Sequence, residues 1–203
     1  MDSARDLAES LNHAISGYRS NGPFSVLQVK ALVGEGVTRL IEKALGEGNL
    51  ENAHEVRARF LEHYHEHITD YTRLYPGMRE ALYALSGCKR AVVSNKNEAL
   101  SVKVLRNLEI IQYFDAVLGS DSAVETKPSP VPLQEAMKRL GYNPGQCVMV
   151  GDSDLDIQAG KRAGVTTCAV TWGFRSRELL ERFNPDLIID HPVDLVSFFG
   201  GRC

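Results

Sequence analysis

The chain has 203 residues, with 23 Lys+Arg against 26 Asp+Glu for a formal charge of −3, and is 43% apolar and 24% charged. These figures lie near the averages for a globular domain and exclude a disordered, collagen-like or other fibrous low-complexity chain. No apolar run approaches the roughly 18 residues of a membrane span, and no Lys/Arg block marks a nucleic-acid footprint, so neither a membrane nor a nucleic acid is an expected partner.

Residues 3 to about 72 read as helix after helix. Leu7, Leu11, Ala14, Ile15 and Tyr18 fall on one stripe at helical spacing. Asn21-Gly22-Pro23 breaks the chain, and Ser25 or Gly36 can begin the short helices that follow. Val37, Leu40, Ile41, Ala44 and Leu45 form a second apolar face, closed by Gly46-Glu47-Gly48. A longer helix is predicted over 51–70, where Val56, Phe60, Tyr64 and Ile68 recur every four residues. On that helix, His63, His65 and His67 sit with Glu62 and Glu66; two histidines four apart rarely complete a zinc site, so a solvated face is expected.

After Tyr75-Pro76-Gly77 the pattern changes. Strands are predicted near 90–93, 116–118, 147–150, 167–170 and 187–189. Helices are predicted near 77–85, 97–108, 131–140, 154–163 and 176–182, with a last helical turn after them. Short apolar runs alternating with helices predict an α/β fold, a doubly wound parallel sheet joined by crossovers. Two domains are expected, a helical one over 3–75 and an α/β one over 76–203. Cys88, Cys147, Cys168 and Cys203 are far apart and form no C-x-x-C pair, so neither a disulfide framework nor a structural zinc site is expected. The reducing cytoplasm is the expected compartment.

Doubly wound sheets place ligands at the carboxyl ends of their strands, and three strand ends are polar here. The strongest is Val150-Gly151-Asp152-Ser153-Asp154-Leu155-Asp156, which puts three carboxylates within five residues at the start of a helix. Clustered carboxylates repel unless a cation offsets them, and hard oxygen ligands suit Mg²⁺. Helix capping explains one of these acids well but three poorly. The second end, Val93-Ser94-Asn95-Lys96-Asn97-Glu98, offers a hydroxyl, an amide and backbone N–H groups ahead of a helix. It fits either a phosphate cradle or an ordinary cap by Ser94 or Asn97. The third, Glu125-Thr126-Lys127-Pro128-Ser129-Pro130, carries two prolines that fix an extended loop. Such a loop can hold the Lys127 ammonium as a charge stabiliser for phosphoryl transfer; a solvated lysine in a Pro-rich loop is the other reading.

The ordered set of Ser94, Lys127 and Gly151-Asp152-Ser153 with Asp156 resembles the second, third and fourth motifs of the haloacid dehalogenase superfamily of phosphohydrolases. Asp2-Ser3-Ala4-Arg5-Asp6-Leu7, Val33-Gly34-Glu35-Gly36, Tyr75-Pro76-Gly77, Ser94-Asn95-Lys96, Thr126-Lys127-Pro128 and Thr171-Trp172-Gly173 resemble stretches of its phosphoglycolate phosphatase-like branch. The resemblance spans essentially the whole chain and implies an α/β core with an inserted all-helical cap. It implies a Mg²⁺-dependent phosphomonoesterase acting through an aspartyl-phosphate on a small phosphorylated metabolite such as phosphoglycolate, as a monomer or homodimer. Asp152 and Asp156 would serve the metal, Asp156 also the lysine; Ser94, with the Asn95 N–H, would bind the phosphoryl group; Lys127 would offset its charge. The loop Gly34-Glu35-Gly36 would be a substrate-facing turn or a plain helix start.

The family's first motif, an apolar strand ending in D-x-D-G-T, carries the nucleophile and the general acid/base, and it falls just before the stretch matching Asp2-Ser3. No residue here fits the nucleophile: Asp2 and Asp6 are spaced for a helix, and Asp115 and Asp121 match no D-x-D pattern. The first core strand is therefore expected to be absent from this chain, through an N-terminal truncation such as a misplaced start at Met1. The chain as written is then expected to be inactive or nearly so. Alternatives are a catalytically dead domain that binds a phosphorylated ligand or protein partner, a pyrophosphatase and a sugar-phosphate phosphomutase.

Overall fold

The computed structural model describes residues 1–18 and 22–201. Asn21 of the expected chain break and Cys203 lie outside them. The chain divides into two compact units, Met1–Arg73 and Leu74–Cys203.

The N-terminal unit is helical, as its periodicity predicts. It contains α1 (Ala4–Ile15), α2 (Val26–Leu32), α3 (Val37–Leu45), a 3₁₀ segment over Glu47–Asn52 and α4 (Ala53–Glu66). The predicted 51–70 helix is thus shorter at both ends. Leu11, Ile15, Val29, Ile41, Val56, Phe60, Tyr64 and Ile68 are buried together as its core. Two polar residues fasten its ends. Asp2 pairs with Arg73 in an antiparallel bridge, and buried Asp6 accepts the Tyr71 N–H (2.9 Å), the Thr72 N–H (2.8 Å) and the Thr72 hydroxyl (2.5 Å).

The C-terminal unit alternates α5 (Met78–Ala84), β1 (Ala91–Val93), α6 (Glu98–Asn107), β2 (Ala116–Leu118), α7 (Val131–Leu140), β3 (Val148–Gly151), α8 (Asp154–Ala163), β4 (Thr166–Val170), α9 (Arg177–Glu181), β5 (Leu187–Ile189) and α10 (Asp194–Phe199). Every strand pairing is parallel. Instead of one sheet there are two, ordered β1-β2 and β3-β4-β5. They share a core under α7 and α8, where Val93 of β1 and Met149 of β3 pack on Leu133, Met137, Ala159, Ala163 and Val165.

The division leaves a mark on burial. In β4, paired on both edges, every residue but Thr166 is buried. In β3, paired only with β4, Val148 and Val150 remain 38% and 40% exposed. A strand of a parallel sheet with helices on both faces is normally covered throughout, so β1 and β3 behave as edges rather than as interior strands.

Trp172, just after β4, packs beside Cys168, Val170, Ile189 and Leu195. Of the terminal aromatic pair, Phe199 joins that cluster while Phe198 is exposed. Cys147 and Cys168 are free thiols. Cys88 is disulfide-bonded, which corrects the expectation drawn from cysteine spacing. No helix among the described residues is long and apolar enough to cross a membrane.

Candidate active site

The polar residues at the ends of β1 and β3 and in the loop before α7 converge because two loops are tied to each other and to α8. After β1 the chain turns at Ser94 and Asn95 and enters α6, which Asn97 caps by accepting the Leu100 N–H (3.3 Å). Asn97, not Ser94, is therefore the cap. The Ser94 N–H continues the ladder to the Leu118 carbonyl (2.9 Å), and the Ser94 hydroxyl oxygen accepts the Lys96 N–H (3.1 Å). These N–H groups are spent inside the protein rather than open to an anion, which corrects that part of the cradle. The Ser94 hydroxyl, already an acceptor, still has its own proton to donate.

Lys127 is buried, as a solvated loop lysine would not be. Its ammonium donates to the Val93 carbonyl (2.6 Å) and to Asp156 Oδ1 (2.6 Å). The first of these bonds sets the charge against the peptide that leads directly into Ser94. The following Lys127-Pro128 peptide is cis, and the Pro128 carbonyl accepts from Arg162 of α8 (2.9 Å). Asn95 faces the same loop. Its side chain accepts the Lys127 N–H (2.9 Å) and donates to the Lys127 carbonyl (2.8 Å).

α8 starts with a capping box: Ser153 Oγ accepts the Asp156 N–H, and Asp156 Oδ2 accepts the Ser153 N–H (3.1 Å). The Ser153 hydroxyl also donates to Asp156 Oδ2 (2.7 Å). With Oδ1 on Lys127 and Oδ2 on Ser153, Asp156 serves the lysine and the helix start. Of the two roles expected for Asp156, support of the lysine is the one its contacts show. Gly151 makes the approach possible, since a Cβ there would lie 2.3 Å from the Asp156 Cβ. Asp154 leans on Arg175 (3.7 Å).

Asp152 is the carboxylate left for a cation. Its Oδ2 accepts the Phe174 N–H (2.8 Å). Burial, and next the charge of Asp156, push its pKa up, so a divalent cation beside it would favour the ionised form. This suits one ligand of a Mg²⁺ ion. Among the described residues no group of three or more His, Cys, Asp or Glu side chains could hold a metal, so any Mg²⁺ would complete its shell from water, substrate or a further carboxylate. Sequence reasoning missed what holds Asp152 in place. Gly173 lies so close that a Cβ there would be 2.1 Å from Asp152 Oδ2, and the Phe174 N–H follows it. The signal was the glycine after Thr171-Trp172, which was matched to a motif without a physical role.

Two other candidates belong to the N-terminal unit. Glu35 of the Gly34-Glu35-Gly36 turn pairs with Arg39 (3.8 Å) and Lys43 of its own unit, a helix-start arrangement. The histidines of α4 stack, His63 lying 4.3 Å from both the His13 and His67 rings.

The sequence model of haloacid dehalogenase-like hydrolases matches residues 1–170. The chain belongs to the haloacid dehalogenase-like hydrolases. It is 40% identical to a phosphoglycolate phosphatase of Aquifex aeolicus over 206 residues, covering 100% of this chain and 92% of that protein. A phosphoglycolate phosphatase of Neisseria meningitidis is 35% identical over 198 residues, covering 93% of this chain and 84% of that protein. A crystal structure described as a predicted phosphoglycolate phosphatase from Haemophilus somnus superposes with a TM-score of 0.88 at 29% identity, covering 97% of this chain and 91% of that one. The resemblance carried by Ser94, Lys127 and Asp152 therefore holds over the whole fold. The chain is a phosphatase-class member of its family, on the phosphoglycolate phosphatase-like branch.

Proposed function

We propose that these strand ends form the phosphoryl-binding site of a Mg²⁺-dependent phosphomonoesterase acting on a small phosphorylated metabolite of the phosphoglycolate type. The observation that carries this reading is the buried Lys127 ammonium, fixed between Asp156 and the carbonyl that precedes Ser94. A cation held there by two acceptors still has a third proton to give, beside a hydroxyl that also has one. That pairing suits the dianionic oxygens of a phosphomonoester better than an uncharged ligand. The similarity to phosphoglycolate phosphatases favours the same substrate class here.

In this reading Ser94 donates to a phosphoryl oxygen and Lys127 offsets the charge on the phosphoryl group. Asp156 keeps the lysine aimed, and Asp152 holds one position of the metal. Bound Mg²⁺ would supply charge neutralisation at the phosphoryl oxygens. The N-terminal unit serves as the cap that covers the substrate and excludes water. The enzyme would act in the cytoplasm as a monomer or homodimer, and the Cys88 disulfide would be open in that reducing environment.

The reaction also needs a nucleophile, and among the described residues the carboxylates at this site have other tasks: Asp156 holds the lysine and Ser153, and Asp152 is assigned to the metal position. We therefore propose that this chain alone hydrolyses little or nothing. The same absence favours a second reading, a catalytically dead domain that binds a phosphorylated ligand. Hydrolysis of phosphoglycolate and generic phosphomonoesters, with and without Mg²⁺, separates them. The measurement compares the 203-residue chain with a form extended through the genomic codons upstream of Met1. Mg²⁺-dependent turnover only in the extended form supports the first reading, and no turnover in either supports the second. Turnover by the short form would overturn the assignment of a missing nucleophile.

A further inference from the structure

We propose that Asn95 is a positioning residue for Lys127, acting through its side chain; this rests on the phosphoryl-site reading above. A primary amide offers one acceptor and one donor on the same face, which matches the N–H and C=O of a single residue. Asn95 uses both on Lys127, accepting the N–H at 2.9 Å and donating to the carbonyl at 2.8 Å. The two residues are 32 apart in sequence, so the side chain splices the loop after β1 onto the loop before α7 with the geometry of one sheet rung. The Lys127 carbonyl is the acceptor immediately before Pro128, whose own carbonyl is held by Arg162 at 2.9 Å. The lysine backbone is thus gripped on both sides, by the segment carrying Ser94 and by the helix carrying Asp156.

This grip matters because of where the side chain must end. The Lys127 ammonium reaches the carbonyl of Val93 and Oδ1 of Asp156, each at 2.6 Å. A buried ammonium depends on such geometry, since a displaced charge in a low-dielectric site loses its partners without regaining water. Lysine has four rotatable bonds, so its tip is defined only if its backbone is. Asn95 contacts both backbone polar groups of Lys127, and it also neighbours Ser94. One side chain therefore fixes the spacing between the hydroxyl donor and the ammonium. Asparagine is singled out chemically: aspartate keeps the acceptor but sets a carboxylate against a carbonyl, and alanine loses both bonds.

The test uses the full 203-residue chain, with inorganic phosphate as the probe. Hydrogen exchange of the Lys127 ammonium, read by nitrogen-detected NMR, reports positioning directly. Asn95→Ala and Asn95→Asp should speed that exchange, the alanine variant more, while the amides of β4 stay protected and show that the fold persists. Phosphate affinity by calorimetry reports the consequence. Asn95→Ala should weaken it roughly tenfold, yet change it less than about twofold in a Lys127→Ala background, because residues acting as one unit are not additive. Unchanged ammonium exchange in Asn95→Ala overturns the proposal, as does an equal loss of affinity with and without Lys127, which would make Asn95 an independent phosphate ligand. Faster exchange in a protein that binds no phosphate would support the positioning and refute the phosphoryl-site reading.

Discussion

The two units face the same requirement, that each buried backbone group be paired, and they meet it differently. Helices satisfy their own interior, so the N-terminal unit needs help only at its ends. Asp6 supplies it by gathering the Tyr71 and Thr72 N–H groups, while the Asp2–Arg73 bridge ties first to last. Strands depend on neighbours. In the C-terminal unit β4 has two and is sealed, whereas β3 has one and leaves Val148 and Val150 open. The ligand chemistry gathers at those unsealed strands, where backbone ladders stop and side chains such as Asn95 and Lys127 take over. In the helical unit, by contrast, the buried carboxylate is spent on structure.

The largest expected effect lies at the buried pair. Lys127→Ala strands Asp156 and should lower stability by about 3–5 kcal/mol in denaturant unfolding. The double change Lys127→Met with Asp156→Leu removes both charges and should recover most of that loss, without recovering phosphate affinity. If the double variant is as unstable as the single one, the pair is not the source of the cost.

Asp6→Ala probes the other unit's counterpart. It leaves the Tyr71 and Thr72 N–H groups without their acceptor, while the Thr72 hydroxyl keeps the Ile68 carbonyl, and should cost about 2–3 kcal/mol, seen as a lower thermal midpoint with phosphate affinity unmoved. Loss of affinity at constant stability would contradict the structural role assigned to it. Gly173→Ala comes next, because its Cβ meets Asp152 at 2.1 Å. Overpacking of about 1–3 kcal/mol should accompany weaker Mg²⁺ binding, since the carboxylate must move. An alanine variant with native Mg²⁺ affinity would remove Gly173 from the account.

The smallest effect is a pH dependence in the helical unit. Burial first, then the charges of His13 and His67, hold His63 below its ordinary pKa of 6.5. The folded state therefore prefers the neutral ring. Nothing is lost above pH 6.5, and stability falls as pH drops from there through the lowered pKa. Between pH 7.5 and 5.5 the thermal midpoint should fall about 2 °C further in the native chain than in His63→Asn. An equal fall in both would mean the stacked rings carry no linkage.

Much of this was legible from residues alone. The period of the apolar positions located α1 and α4, and β2, α7 and α8 fall where the runs predict. Asp152, Lys127 and Ser94 stood out because they end apolar runs and precede helices. What stayed hidden depended on pairing across the chain. The spacing of Asp152 and Asp156 shows two acids on one helical turn; that Lys127 claims Asp156 was implied by the family resemblance, not by the spacing, and the fold shows the contact. That the Asn95 side-chain amide meets a residue 32 positions on could not be read from the sequence. Gly173 was matched as part of a motif, while its physical reason, the contact with Asp152, needed coordinates. The division into two sheets was beyond residue patterns too: β3 reads as a buried strand, and its exposure reflects the neighbour it does not have.

The most direct test of the central claim is calorimetric titration of phosphoglycolate into the 203-residue chain. The titration is run with and without Mg²⁺, beside the charge-free Lys127→Met with Asp156→Leu variant. The account predicts binding that strengthens with Mg²⁺ in the native chain and weakens by at least about tenfold in the variant although its fold persists. Equal binding by both proteins, or binding indifferent to Mg²⁺, would contradict it.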